Sequence, residues 1–179
     1  MKKVLALCAI LAPTLVEAGK VSERLKYEAE LACLKANVFF EARGEPFKGK
    51  AAVAQVTMNR VKAKQYPNSV CATVFQPHQF SWSKQLPKSK INQIMRGQVQ
   101  KMKPADLKAY LEAKAVAELA LQNKLNVLPA KVMHYHATSV NPKWSHKMEK
   151  HGMIGNHVFY GDPKGSKGEV KLSKGKGKK

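Results

Sequence analysis

Residues 36–61 read "ANVFFEARGEPFKGKAAVAQVTMNRV". An apolar run meets Gly44, Pro46 and Gly49, all poor helix-interior residues, and is followed by a second run that puts Val53, Val56, Thr57 and Val61 on one helical face. The stretch therefore predicts two helices joined by a sharp turn. The first is expected from Ser22, an N-cap ahead of Leu25, Leu31 and Leu34, to about residue 36, and the second from about residue 50 to 63. Two glutamates sit at the junction. Glu41 follows the apolar "ANVFF", where a carboxyl drawn partly out of water has a raised pKa and becomes a proton donor near neutral pH. Glu45, between Gly44 and Pro46, is expected in a wetter turn. On the residues alone, either also fits a surface carboxylate paired with Arg43 or Arg60.

Downstream, "TVFQPHQFSWSKQLPKSK" (73–90) has neither helical nor strand period and reads as a long loop. A helix is expected from near Pro104, with Asp106 in its first turn and Leu107, Leu111, Ala115 and Leu119 on its core stripe. Two short β-like runs, "KVMHYHA" (131–137) and "NHVFYGD" (156–162), are joined by the connector 138–155. Together these elements predict an α+β domain dominated by helices. Its length of 179 residues suits one folded unit with tails.

The ends are distinctive. "MKK", then the 13 apolar residues "VLALCAILAPTLV", then "VEA" ending at Ala18 read as a secretory signal over residues 1–18. The run is shorter than the roughly 20 residues a bilayer span needs, so no transmembrane span is expected once the signal is removed. Its removal leaves Cys33 and Cys71, an even pair in an oxidising compartment, either joined or present as two buried thiols. From Pro163 to Lys179 the chain carries seven lysines and one glutamate and is expected to be a disordered cationic tail. The 32 Lys and Arg against 12 Asp and Glu give a net charge of +20, which favours polyanionic partners. An export signal directs that charge to anionic envelope polymers rather than to nucleic acid.

Flat aromatic faces beside amide or hydroxyl groups mark candidate binding residues. "QFSW" offers Gln79, Phe80, Ser81 and Trp82, and the later blocks offer Tyr135, Asn141 and Trp144. Strand period puts His134 and His136 on one face and Tyr135 on the other, so all three cannot line one cleft. Phe80 and Trp144 read equally well as core aromatics. The histidines at 134, 136, 146, 151 and 157 do not make a three-ligand metal pattern, and no metal or other cofactor is expected.

The blocks "ANVFFEARGEPFKGKAAVAQVTMNRV", "YPNSVCATVFQPHQFSW", "MHYHATSVNPKW" and "IGNHVFY" come in an order that resembles the SleB-type cell-wall hydrolase family, spore-cortex-lytic enzymes included, over about residues 30–161. The resemblance implies a lysozyme-like catalytic domain over 19–162 that cuts the glycan strands of peptidoglycan, with Glu41 as the acid. It further implies lytic transglycosylase chemistry, which requires no second carboxylate. Glu45 is then expected to shape the loop, bind Arg60 or contact substrate, beside the binding candidates already named. The chain is expected to be a monomer, secreted, periplasmic or wall-associated. Competing readings are a muramidase-type hydrolase, an amidase cutting the peptide stem, and a non-catalytic wall or anionic-polymer binder.

Overall fold

The computed structural model describes residues 15–85, 91 and 101–163; the proposed leader up to residue 14, part of the 73–90 loop and the lysine tail beyond Pro163 lie outside that set. Helix α1 (Leu15–Ala42) is followed by α2 (Phe47–Lys62), the short α3 (Val70–Val74), a single 3-10 turn (Trp82–Lys84) and α4 (Pro104–Leu121). Strand β1 (His134–Ala137), a second 3-10 turn (Lys143–Lys147), and strands β2 (Met148–Ile154) and β3 (His157–Pro163) complete the order. The architecture is the mainly helical α+β arrangement with a small antiparallel sheet.

Helix α1 continues about six residues beyond the expected end and passes through Ala18, the expected end of the leader. Nothing in "NVFFEA" opposes a helix, and burial of Asn37, Val38, Phe39 and Ala42 favours continuing it. The chain turns only at Gly44-Glu45-Pro46, where the residue before proline is pushed out of the helical region. The Glu45 N–H, donating to the Ala42 carbonyl at 3.0 Å, closes that turn. Helix α2 starts there, at Phe47, three residues ahead of the expected start.

Helices α1, α2 and α4 pack around Leu34, Val38, Ala54, Ala113, Val116 and Ala117, with Phe39 edge-on to Tyr110 at 6.1 Å. The buried face of α4 is Ala109, Tyr110, Ala113, Val116, Ala117 and Ala120, whereas Leu111 is 54 % exposed. The stripe expected from the leucines is thus rotated: small residues let α4 approach its neighbours closely, and the larger leucines fall at the rim. Inside this core the Asn37 amide donates to Thr57 Oγ1 at 3.1 Å, tying α1 to α2. Cys33 and Cys71 are joined as a disulfide, which fastens α1 to α3. Helix α3 is capped by Ser69 Oγ and by the Glu30 carboxylate, which accepts from the Val70 N–H.

The sheet order is β1-β3-β2, both pairs antiparallel, with Tyr135 opposite Phe159 and His136 opposite Val158. A smaller core of Ala52, Val56, Leu128, Val132 and Phe159 attaches the sheet to α2. Strand β2 falls in the connector that the sequence did not mark as a strand. "MEKHGMI" has no apolar alternation, its pairing with β3 shifts register on both sides of Lys150, and Gly152 sits at φ 128. A two-residue turn, Gly155–Asn156, with Gly155 at φ 58, closes the hairpin.

Candidate active site

The last turn of α1, the loop around Trp82 and strand β1 converge on Glu41. Glu41 lies in the last turn of α1, where the helix dipole opposes a negative charge. Burial raises its pKa above the ordinary glutamate value; the Tyr135 hydroxyl, the Trp82 indole and the Arg60 charge each pull it partly back. Tyr135 donates to Glu41 Oε2 at 3.4 Å. Burial first, then the Glu41 charge, push the phenol well above its ordinary value, so Tyr135 stays protonated and remains a donor. The Trp82 N–H is buried without a partner in hydrogen-bond geometry, although it lies on the Glu41 side. Its ring stacks on Phe40 at 5.0 Å and Phe80 at 6.0 Å, with Phe75 edge-on at 5.8 Å. An aromatic wall therefore adjoins the acid.

Arg60 organises the other side. From buried α2 it donates Nε to the Met133 carbonyl at 2.7 Å and Nη1 to Gln79 Oε1 at 2.6 Å. It thereby binds the entry of β1 to the loop that carries Trp82. Among the described residues no carboxylate lies within ion-pair distance of Arg60. Its charge is left to act on Glu41 and on His134, whose pKa is lowered by burial first and Arg60 second.

Glu45 departs from expectation twice. It is not in a wet turn: it is 8 % exposed, its Oε2 accepts from the Asn156 N–H at 2.9 Å, and its Oε1 lies 3.6 Å from His157 Nδ1. Nor does it bind Arg60. The hairpin turn folds over it, an approach made across 111 residues of chain. Lys50, only 2 % exposed, donates to the Glu45 carbonyl and pairs with Glu112 at 3.0 Å, so the turn is also held to α4.

The other sequence candidates divide. Tyr135, Trp82 and, through Arg60, Gln79 are brought to Glu41. Phe80 is buried beneath Trp82, which makes it a core aromatic. Ser81 and Asn141 are exposed. Trp144 packs with His134, His136 and Tyr160 at 5.5 to 5.8 Å on the sheet face opposite Tyr135. It does not reach the acid. Asn156, Lys50 and His157, the last weighed in the sequence only as a metal ligand, join the site because each touches Glu45. Among the described residues no three His, Cys, Asp or Glu side chains gather as a metal site, and no helix is long and apolar enough to cross a membrane.

A mainly helical α+β domain with a half-buried glutamate beside an aromatic wall is the arrangement that the comparisons with known proteins place. The family model described as Cell Wall Hydrolase matches residues 44–160, and the chain belongs to that family. The match begins three residues after Glu41. The spore cortex-lytic enzyme of Bacillus cereus is 28 % identical over 125 residues, 68 % of this chain and 40 % of that relative. That of Bacillus subtilis is 46 % identical over 44 residues, 25 % of this chain and 14 % of the relative. The chain thus spans less than half the length of these curated relatives. Among solved structures, the catalytic domain of the germination-specific lytic transglycosylase SleB from Bacillus anthracis superposes with a TM-score of 0.51 at 25 % identity, covering 74 % of this chain and 93 % of that one. The catalytic domain of the Bacillus cereus SleB protein gives 0.50 at 25 % identity, covering 74 % and 90 %.

Proposed function

We propose that this protein cleaves the glycan strands of peptidoglycan as a lytic transglycosylase, with Glu41 as its single catalytic acid. The observation that carries the reading is the environment of Glu41: a half-buried carboxyl whose pKa burial raises, beside a tyrosine hydroxyl that donates to it at 3.4 Å. The solved neighbour named as a lytic transglycosylase supports the same chemistry.

In the reaction, protonated Glu41 gives its proton to the glycosidic oxygen that leaves C1 of the muramyl sugar. As the bond breaks, the resulting carboxylate is stabilised by the Tyr135 O–H and the Arg60 charge. The 6-hydroxyl of the same sugar closes on C1, and its proton returns to Glu41, leaving a 1,6-anhydro end. No water is consumed. Glu45, the one other glutamate of the motif, is buried against the hairpin turn, which disfavours the two-carboxylate alternative. Phe40, exposed at the end of α1, offers a stacking face to sugar rings, and Ser81 and Asn141 offer exposed polar groups. Residues 1–18 serve export in this reading, and the lysines of 163–179 serve adsorption to anionic wall polymers.

Mass spectrometry of soluble fragments from purified peptidoglycan tests it. The expected result is 1,6-anhydro-muramyl ends from the wild type and none from Glu41→Gln. Reducing muramyl ends would replace transglycosylation by hydrolysis, and cleavage that survives Glu41→Gln would remove Glu41 as the acid.

A further inference from the structure

Among the described residues Tyr135 donates a hydrogen bond to Glu41, and its hydroxyl makes no second bond that would fix it. Packing must hold its ring. Two rings of β3 pack against it: Phe159, fully buried, at 5.8 Å, and His157, edge-on at 5.2 Å and 88°. His157 is itself buried, and its Nδ1 has no hydrogen-bond partner but is aimed at Glu45 Oε1, 3.6 Å away.

Glu45 is held at several points. Oε2 is held by the Asn156 N–H, the carbonyl by Lys50, and the side chain lies in a space that only glycines leave open. A Cβ on Gly49 would come within 2.9 Å of Glu45 Cβ, and one on Gly155 within 1.7 Å of Oε2. With a side-chain exposure of 6 % and its oxygens turned to residues 156 and 157, Glu45 presents no open face to a substrate.

We propose that Glu45 and His157 are positioning residues: Glu45 holds the His157 ring, His157 fixes Tyr135, and Tyr135 thereby delivers its O–H to Glu41. The two glutamates of the motif are then linked through space by a path that leaves the turn, crosses the hairpin and returns along β1. The catalytic consequence rests on the glycan-cleaving reading; the positioning itself does not.

Two readouts separate them. The first is the titration of the Glu41 carboxyl carbon followed by NMR in the full chain. The groups that face Glu41 are Tyr135 from β1, Trp82 from the loop and Arg60 from α2, and of these His157 touches Tyr135. Tyr135→Phe removes a bond that lowers the Glu41 pKa, so the titration moves up. His157→Ala is expected to move it in the same direction, and the double variant to match Tyr135→Phe alone. The second readout is the cleavage rate: kcat is expected to fall about five- to tenfold in Tyr135→Phe, the scale of one hydrogen bond, less in His157→Ala, and no further in the double, with KM unchanged. Glu45→Gln keeps an acceptor for the Asn156 N–H and should hold kcat within about threefold, while Glu45→Ala follows His157→Ala.

Additive titration shifts, or none in His157→Ala, overturn the proposal. So does a Glu45→Gln variant as inactive as Glu41→Gln, because Glu45 would then act chemically. Should His157→Ala fail to fold, His157→Gln and its double with Tyr135→Phe decide by the same comparison. A wild type that releases no glycan fragments counts against the proposed function alone, since the titration still decides the positioning.

Discussion

Replacing Gly155 by alanine tests how firmly the hairpin turn is locked over Glu45. Gly155 sits at φ 58, and for an alanine the left-handed conformation costs about 1–2 kcal/mol. The added Cβ would lie 1.7 Å from Glu45 Oε2 and 3.3 Å from Pro46 Cδ, so the carboxylate has to leave its place. Leaving breaks the bond from the Asn156 N–H, a hydrogen bond to a charged group of about 1.5–3 kcal/mol. The total is about 2.5–5 kcal/mol, a large part of the roughly 5–15 kcal/mol that holds a domain folded. Urea unfolding followed by circular dichroism measures the difference at constant m-value. The reasoning also sets the response in a second background. With Glu45→Ala already present there is no carboxylate to displace, and Gly155→Ala should cost only its backbone share, giving a coupling of about 2 kcal/mol between the two sites. A loss below about 1 kcal/mol for Gly155→Ala alone, or equal losses in the two backgrounds, would refute the claim that the glycine exists to admit Glu45.

The disulfide and the acid make separate claims on stability. Cys33 and Cys71 close a loop of 38 residues, so replacing both by serine should lower unfolding stability by up to about 4 kcal/mol on the chain-entropy account, read from urea curves against the oxidised wild type. The Glu41 effect has a definite sign in pH. Its folded pKa lies above the unfolded value near 4.5, so the stability it contributes is complete below that value and is lost as pH rises through the folded pKa. Glu41→Gln should therefore unfold at higher urea than the wild type at neutral pH, and the two midpoints should converge as pH falls below about 4. A wild type that stays the more stable of the pair at neutral pH would mean that Glu41 is not desolvated.

Much of this protein could be read along the chain. The helix–turn–helix of residues 36–61 follows from helical spacing interrupted by Gly44, Pro46 and Gly49. The helix at Pro104, the two β-like runs and the opposite facing of Tyr135 and His134 depend likewise on local periodicity, which neighbours in sequence suffice to set. Glu41 as the candidate acid came from an apolar run ending in a carboxylate, supported by the family resemblance. What local pattern could not show is whatever depends on a distant partner. Strand β2 exists because β3 offers hydrogen bonds to a segment with no strand period of its own. The buried face of α4 was set by how closely its alanines approach α1 and α2, not by where its leucines fall. Glu45 looked solvated because Gly44 and Pro46 flank it, and only the return of Gly155 and Asn156, more than a hundred residues later, takes its carboxylate out of water. Composition and spacing thus determined most of the elements, and the family resemblance singled out Glu41 as the candidate; the tertiary structure decided which of the two motif carboxylates is closed off by packing, because desolvation depends on everything that packs against a group and not on its neighbours in the chain.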